Sequence, residues 1–264
     1  MIQWVMAATL ICGASVFTAC SSNDDNPAQS DLNLSEKIIG KWMVEELDGE
    51  ACPTNWKTVL TFVSPTQSYG SLSDYFSLSW NVKVLADVTI DGNKVSVVSK
   101  DGNTSNVLDC TILSITEDEM LMSSDWNVYV DGTSVQHEVY GKERYARITS
   151  DFQNDILGTW EGKVTSADDE HTDGMTHRWE YKADGTFVYY NKKDAEWENN
   201  NDVLAEYFVD GTLLCTRWKK TADSEELREW WEITIENGVM KWTALRKKAD
   251  GSTYTATFQM TRVK

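Results

Sequence analysis

The chain has little with which to do covalent chemistry. Only three histidines occur in its 264 residues, His137, His171 and His177. No Gly-x-Ser-x-Gly is present, so a serine nucleophile on a strained turn has no place to sit. A P-loop, a dinucleotide fingerprint, His-Glu-x-x-His and Cys-x-x-Cys are missing too, which removes the common phosphate, nicotinamide and zinc-hydrolase chemistries. Carboxylates are so abundant, 42 Asp and Glu, that pairs at suggestive spacing arise from composition alone and carry no weight for glycoside hydrolysis. The expectation is a protein that is not an enzyme and needs no cofactor.

Positive charge is also scarce, with 24 Lys and Arg against those 42 acids and a net charge of -18. Phosphate backbones are gripped by basic patches, so nucleic acid is not an expected partner. Anionic headgroups would repel the same surface, which leaves membrane contact to some other device. Five cysteines occur, Cys12, Cys20, Cys52, Cys110 and Cys215. Cys52 with Cys110 is one pairing open within the first half, and three separate buried thiols is the other reading.

Such a membrane device is visible at the N-terminus. Val5 to Phe17 is an uncharged apolar run that ends in Thr18-Ala19-Cys20. It is too short to span a bilayer as a mature helix. Small residues directly before a Cys resemble the lipobox of bacterial lipoproteins, in which the Cys is acylated and becomes the first residue. The resemblance implies a signal peptide over 1–19, lipidation at Cys20 and a flexible acidic tether over 20–34. The Asp24-Asp25 pair resembles the export signal of Bacteroides-type surface lipoproteins and implies an outer-membrane, surface-exposed location.

Two stretches repeat. Ile38-Ile39-Gly40-Lys41-Trp42 and Ile156-Leu157-Gly158-Thr159-Trp160 each precede a strand-rich segment of similar length. The expected domains run over 35–150 and 151–264, each large enough to bury its own core. Asp-Gly and Asn-Gly pairs punctuate both halves, among them Asp91-Gly92, Asp131-Gly132, Asp210-Gly211 and Asn237-Gly238. These residue types accept the positive φ that two-residue hairpin turns demand. Between them Val, Thr, Trp, Tyr and Phe alternate at period two, as in Thr253 to Thr261. In the second half this predicts strands near 157–165, 176–182, 186–192, 203–209, 212–219, 228–235, 239–247 and 252–262. Helix signals are thin, confined to Leu34 to Ile39 and to a capping-box spacing over Asp223 to Arg228.

The fold class expected is all-β, two tandem eight-stranded antiparallel meander barrels whose closure removes exposed edges. Gly-x-Trp opening such a meander, behind a lipidated Cys and a Ser/Asp tether, resembles the lipocalin-like domains of surface lipoproteins of Bacteroides-type bacteria. The resemblance implies that Trp42 and Trp160 seal the barrel bases beside Gly40 and Gly158, with Arg147 and Arg262 supplied by the last strands.

Two patterns bear on ligands. Asp169, Asp173, Gly174 and Glu180 match positions of a calcium loop, but His171 stands where an oxygen ligand belongs and strands flank the stretch. It reads as a solvated hairpin loop, and no metal is expected. Twelve Trp occur in the chain, and such rings are large enough to line a pocket. Trp179, Trp231, Trp242, Tyr254 and Phe258 are the candidate ligand-binding residues, since an eight-stranded barrel has room for side chains or one small molecule. The function expected is a lipid-anchored monomer holding a small apolar or amphipathic ligand. The alternative is a structural protein of filled barrels that contacts a partner protein or a surface glycan.

Overall fold

The computed structural model describes residues 33–71, 80, 83–166, 175–193 and 195–264. Residues 33–264 form one compact unit. Its architecture is all-β, with two successive sheets. The first contains β1 (Gly40–Leu47), β2 (Glu50–Ala51), β3 (Val59–Ser64), β4 (Gln67–Ser71), β5 (Val84–Asp91), β6 (Lys94–Asp101), β7 (Thr104–Ile115), β8 (Glu119–Val130) and β9 (Thr133–Ile148). Neighbouring strands pair in chain order, β2 hangs on the end of β1, and β1 also pairs with β9 from Lys41 opposite Ile148 to Leu47 opposite Glu143. That last pairing closes an eight-stranded antiparallel barrel.

The second sheet contains β10 (Gly158–Val164), β11 (His177–Tyr181), β12 (Phe187–Lys193), β13 (Glu196–Asn199), β14 (Leu204–Asp210), β15 (Leu213–Lys219), β16 (Leu227–Glu236), β17 (Val239–Lys247) and β18 (Thr253–Arg262). Its order is β13-β12-β11-β10-β18-β17-β16-β15-β14, so β10 joins the first and last parts of the meander. The sheet curls until β14 meets the turn before β12. One bridge, Thr186 to Glu206, and one bond from the Tyr207 amide to the Gly185 carbonyl at 2.8 Å complete the ring. Strands β10 to β12 and β14 to β18 thus form a second eight-stranded barrel, and it has a seam between β12 and β14.

All eight strands expected in the second half are present, and β13 is an addition. It arises because Ala195 turns the chain at positive φ (77°) and folds Glu196 to Asn199 back along Tyr190 to Lys193. The capping-box stretch is not a helix. Ser224 spends its hydroxyl on the Thr221 carbonyl at 2.9 Å, closing a local turn that feeds β16. A single helical turn, α1 (Leu34–Lys37), leads into β1.

Each Gly-x-Trp closes a barrel end in the same way. Trp42 and Trp160 are both 0% exposed, and their indole nitrogens donate to Ile38 O and Ile156 O at 2.7 Å. Arg147 stacks over Trp42 at 4.1 Å and Arg262 over Trp160 at 4.4 Å from the ring centroid. The Arg147 guanidinium donates to Ile39 O and Lys37 O at 2.6 Å; that of Arg262 donates to Leu157 O and Asp155 O. Glycine is required beneath the guanidinium. Gly40 and Gly158 have φ of +131° and +111°, and a Cβ there would lie 2.5 and 3.0 Å from the arginine Nη1.

The barrels also share a core. Met43, Val59, Phe208, Leu213, Cys215 and Trp230 form a buried cluster drawn from both sheets, with Trp80 and Ile148 packed against it. This is why β1 departs from period two: Trp42, Met43 and Val44 are all buried, one face inside its own barrel and the other against the neighbour. Two lysines cross the joint. Lys41 reaches Asp210 at 2.7 Å and Asp151 at 2.8 Å, and Lys57, 4% exposed, lies between Glu45 (2.5 Å) and Glu232 (2.8 Å). Burial pulls the Lys57 ammonium down, but Glu232 and Glu45 outweigh it and leave its pKa raised.

Candidate ligand site

Alternation along the strands of the second barrel sends one aromatic set inward. Trp160 and Trp179 are cross-strand partners, as are Trp179 and Tyr189, and Trp242 and Phe258. The resulting cluster is nearly continuous. Trp179 lies 5.0 Å from Trp242 and 5.5 Å from Phe258, and Trp231 lies 5.3 Å from Trp242 and 6.0 Å from Phe258. His177 stacks on Trp179 at 5.6 Å, and its Nδ1 is 2.9 Å from the Tyr189 hydroxyl. These are tilted, edge-to-face and, for His177, stacked arrangements in which rings pack favourably on one another. Four of the five candidate ligand residues therefore meet directly, and Tyr254 packs against the same core from its margin.

The rings occupy the barrel centre themselves, and open space lies at their edge. Along the β12–β14 seam is a cleft of about 240 Å³, walled by Phe187, Val188, Tyr189 and Ala205 and rimmed by Asn199, Asn201 and Asp202. Phe187, Tyr189 and Ala205 also belong to the interior cluster. The cleft is thus the outer end of the aromatic lining. A second cleft of about 340 Å³, bordered by Thr212, Glu232, Thr234, Lys241 and Thr243, lies on the outward face of β16 and β17. Its Glu232 is held by Lys57 in the joint between barrels, and no ring of the cluster borders it.

Polar groups inside the second barrel are unevenly satisfied. The Trp231 indole donates to Glu229 Oε2 at 3.1 Å, and Arg246 covers the Trp231 ring at 4.7 Å. Lys248 covers Tyr254 at 5.2 Å. By contrast the Trp242 indole nitrogen and the Tyr181 hydroxyl are buried with no hydrogen-bond partner among the described residues. Burial drives the Tyr181 phenol pKa far up, so it stays protonated. Tyr181 sits opposite Phe187 in the ladder and edge-on to Tyr207 at 4.8 Å, directly inside the seam. Orphaned buried donors of this kind each cost about 1–3 kcal/mol.

Other candidate positions carry less. Glu180 faces outward and accepts from the Tyr190 hydroxyl at 2.6 Å; Asp169 and Asp173 lie outside the described residues, as does Cys20. No group of three or more His, Cys, Asp and Glu is arranged to hold a metal among the described residues. Cys52, Cys110 and Cys215 are free and buried, so the Cys52–Cys110 pairing is not formed. Burial raises all three thiols, Cys52 to about 12, which leaves no reactive thiolate at neutral pH.

The seam residues were legible only in part. The alternation Phe187-Val188-Tyr189 places both rings on one face, and the run Asn199-Asn200-Asn201-Asp202 is the most amide-rich in the chain, but neither says that β14 stops short of β12. The chain matches no protein-family model and no curated protein.

Proposed function

We propose that the chain is a non-catalytic, membrane-tethered binding protein whose second barrel holds a small amphipathic ligand at the seam. The observation that carries this reading is the continuity of Phe187, Tyr189 and Ala205 with both the cleft and the Trp179/Trp231/Trp242/Phe258 cluster. A ligand seated there has an aromatic wall on its apolar side and amides on the other, the arrangement typical of small-molecule sites. The first barrel acts as a rigid neighbour, locked to the second through the shared core. In this proposal Cys20 carries the lipid, residues 20–34 are the tether, and the molecule is held at the outer face of the outer membrane. Acyl chains at about 0.8 kcal/mol per buried CH₂ make such attachment durable.

Binding is tested with N-phenyl-1-naphthylamine, whose emission rises in apolar surroundings. Saturable enhancement with energy transfer from Trp is expected, and Tyr189→Ala should weaken it. Absence of saturable binding by this probe and by a panel of neutral amphiphiles would overturn the reading. Anchoring is tested separately: Cys20→Ser should release the protein from membranes in a carbonate wash, and a variant that still pelleted would contradict the lipid anchor. A spacer role, in which the packed barrels only display their loops, is favoured by the ring-filled centre of the second barrel and becomes the better account if no probe binds.

A further inference from the structure

We propose that the seam cleft takes an uncharged, hydroxyl-bearing ring, the chemistry of a neutral saccharide. This rests on the seam as the binding site and adds the class of group that binds there.

The wall offers ring faces. Tyr189, half-buried beside the buried Phe187, presents ring surface suited to the C–H face of a pyranose, and the two are backed by Trp179 and Tyr181, so their orientation is fixed before binding. The rim offers paired donors and acceptors. Asn199 Oδ1 accepts the Asn201 amide at 2.7 Å, and Asp202 Oδ1 accepts from Asn200 Nδ2 at 2.6 Å. Those bonds hold the rim rigid and use only part of its capacity. The Asn199 side-chain nitrogen, the Asn201 carbonyl and the second Asp202 oxygen can still engage hydroxyls, which both donate and accept.

Charge and desolvation exclude the alternatives. Among the described residues no Lys or Arg lines the cleft, and Asp202 does, in a chain of net charge -18. A carboxylate, sulfate or phosphate would meet repulsion with no counter-ion. A bare hydrocarbon would bury the amides without replacing their water. Past the Thr186–Glu206 bridge, β12 and β14 are not laddered to each other, and the Asn200 amide donates to the Tyr189 carbonyl at 2.9 Å, which ties the rim to the wall. Beneath them the buried Tyr181 hydroxyl has no hydrogen-bond partner among the described residues.

Saturation-transfer NMR on the full chain with cellobiose, D-glucuronate and N-phenyl-1-naphthylamine tests this. Cellobiose ring protons should receive saturation and glucuronate should not. Asn199→Ala and the isosteric Asp202→Asn should each weaken cellobiose about tenfold, the loss expected for one to two hydrogen bonds, with the thermal midpoint unchanged. If the naphthylamine binds while cellobiose does not, or binds no better than glucuronate, or is unmoved by both variants, the saccharide assignment is overturned and the binding reading stands. If neither ligand binds, both fall.

Discussion

Strands β4 and β12 occupy the same place in their meanders, yet only β4 is laddered to its next neighbour. In the first barrel β4 pairs with β5 from Gln67 opposite Asp87 to Gly70 opposite Val84. In the second, β13 folds back on Tyr190 to Lys193 and takes the edge of β12 that β14 would use. A single bridge remains. The lesson is that one short hairpin converts a closed barrel wall into a cleft without disturbing the rest of the fold. The interiors differ to match. Where the second barrel packs Trp179, Trp231, Trp242 and Phe258, the first buries a carboxyl, Glu143, with hydroxyl bonds from Ser124 at 2.9 Å and Tyr145 at 3.2 Å.

The largest effects should come where the barrels are alike. Trp42→Ala and Trp160→Ala each remove a fully buried indole and its arginine stack, and each should cost about 3–5 kcal/mol in denaturant unfolding. Because the barrels share the Met43/Phe208/Trp230 cluster, either variant should lower one common transition. Two separate transitions would break the picture of a joined pair.

Next in size is the buried carboxyl found only in the first barrel. Burial pushes Glu143 from an ordinary 4.5 up to about 7 despite its two hydroxyl donors. A raised carboxyl pKa means that the folded state holds a proton the unfolded state gives up. The penalty is therefore absent below pH 4.5, grows as pH rises, and is complete above about 7, where it amounts to about 3 kcal/mol. Stability should fall between those limits, and Glu143→Gln should flatten the slope. An unchanged slope in the variant would place the titration elsewhere.

How much of this was legible in the sequence follows from the same contrast. The Gly-x-Trp repeats, the Asp-Gly turns and the period-two runs were enough to write out the eight strands of the second barrel, because alternation and turn chemistry are local. Gly40 and Gly158 mark where each barrel begins, although the arginines that make glycine necessary there, Arg147 and Arg262, come from the far end of each half. The candidate rings Trp179, Trp231, Trp242 and Phe258 were readable as inward positions. The seam was not, since whether β14 reaches β12 depends on a hairpin of four residues, Glu196–Asn199, with weak strand character. Nor did any local signal mark the joint between barrels, because Met43 and Cys215 look like ordinary core residues until the neighbouring barrel covers them.

The smallest effect compares two buried tyrosines. Tyr145→Phe removes a bond to Glu143 and should destabilise by about 1 kcal/mol, whereas Tyr181→Phe removes a hydroxyl with no partner among the described residues and should leave stability equal or higher by about 1 kcal/mol. Equal losses at both sites would show that Tyr181 is satisfied after all.

The central claim, that the open seam of the second barrel is where the molecule binds, is tested most directly by amide hydrogen exchange with and without saturating N-phenyl-1-naphthylamine. Slowed exchange is expected over residues 186–189 and 199–207, with no change at 67–70 and 84–87 in the closed wall of the first barrel. Protection centred on the first barrel, or bound probe with no protection at the seam, would contradict it.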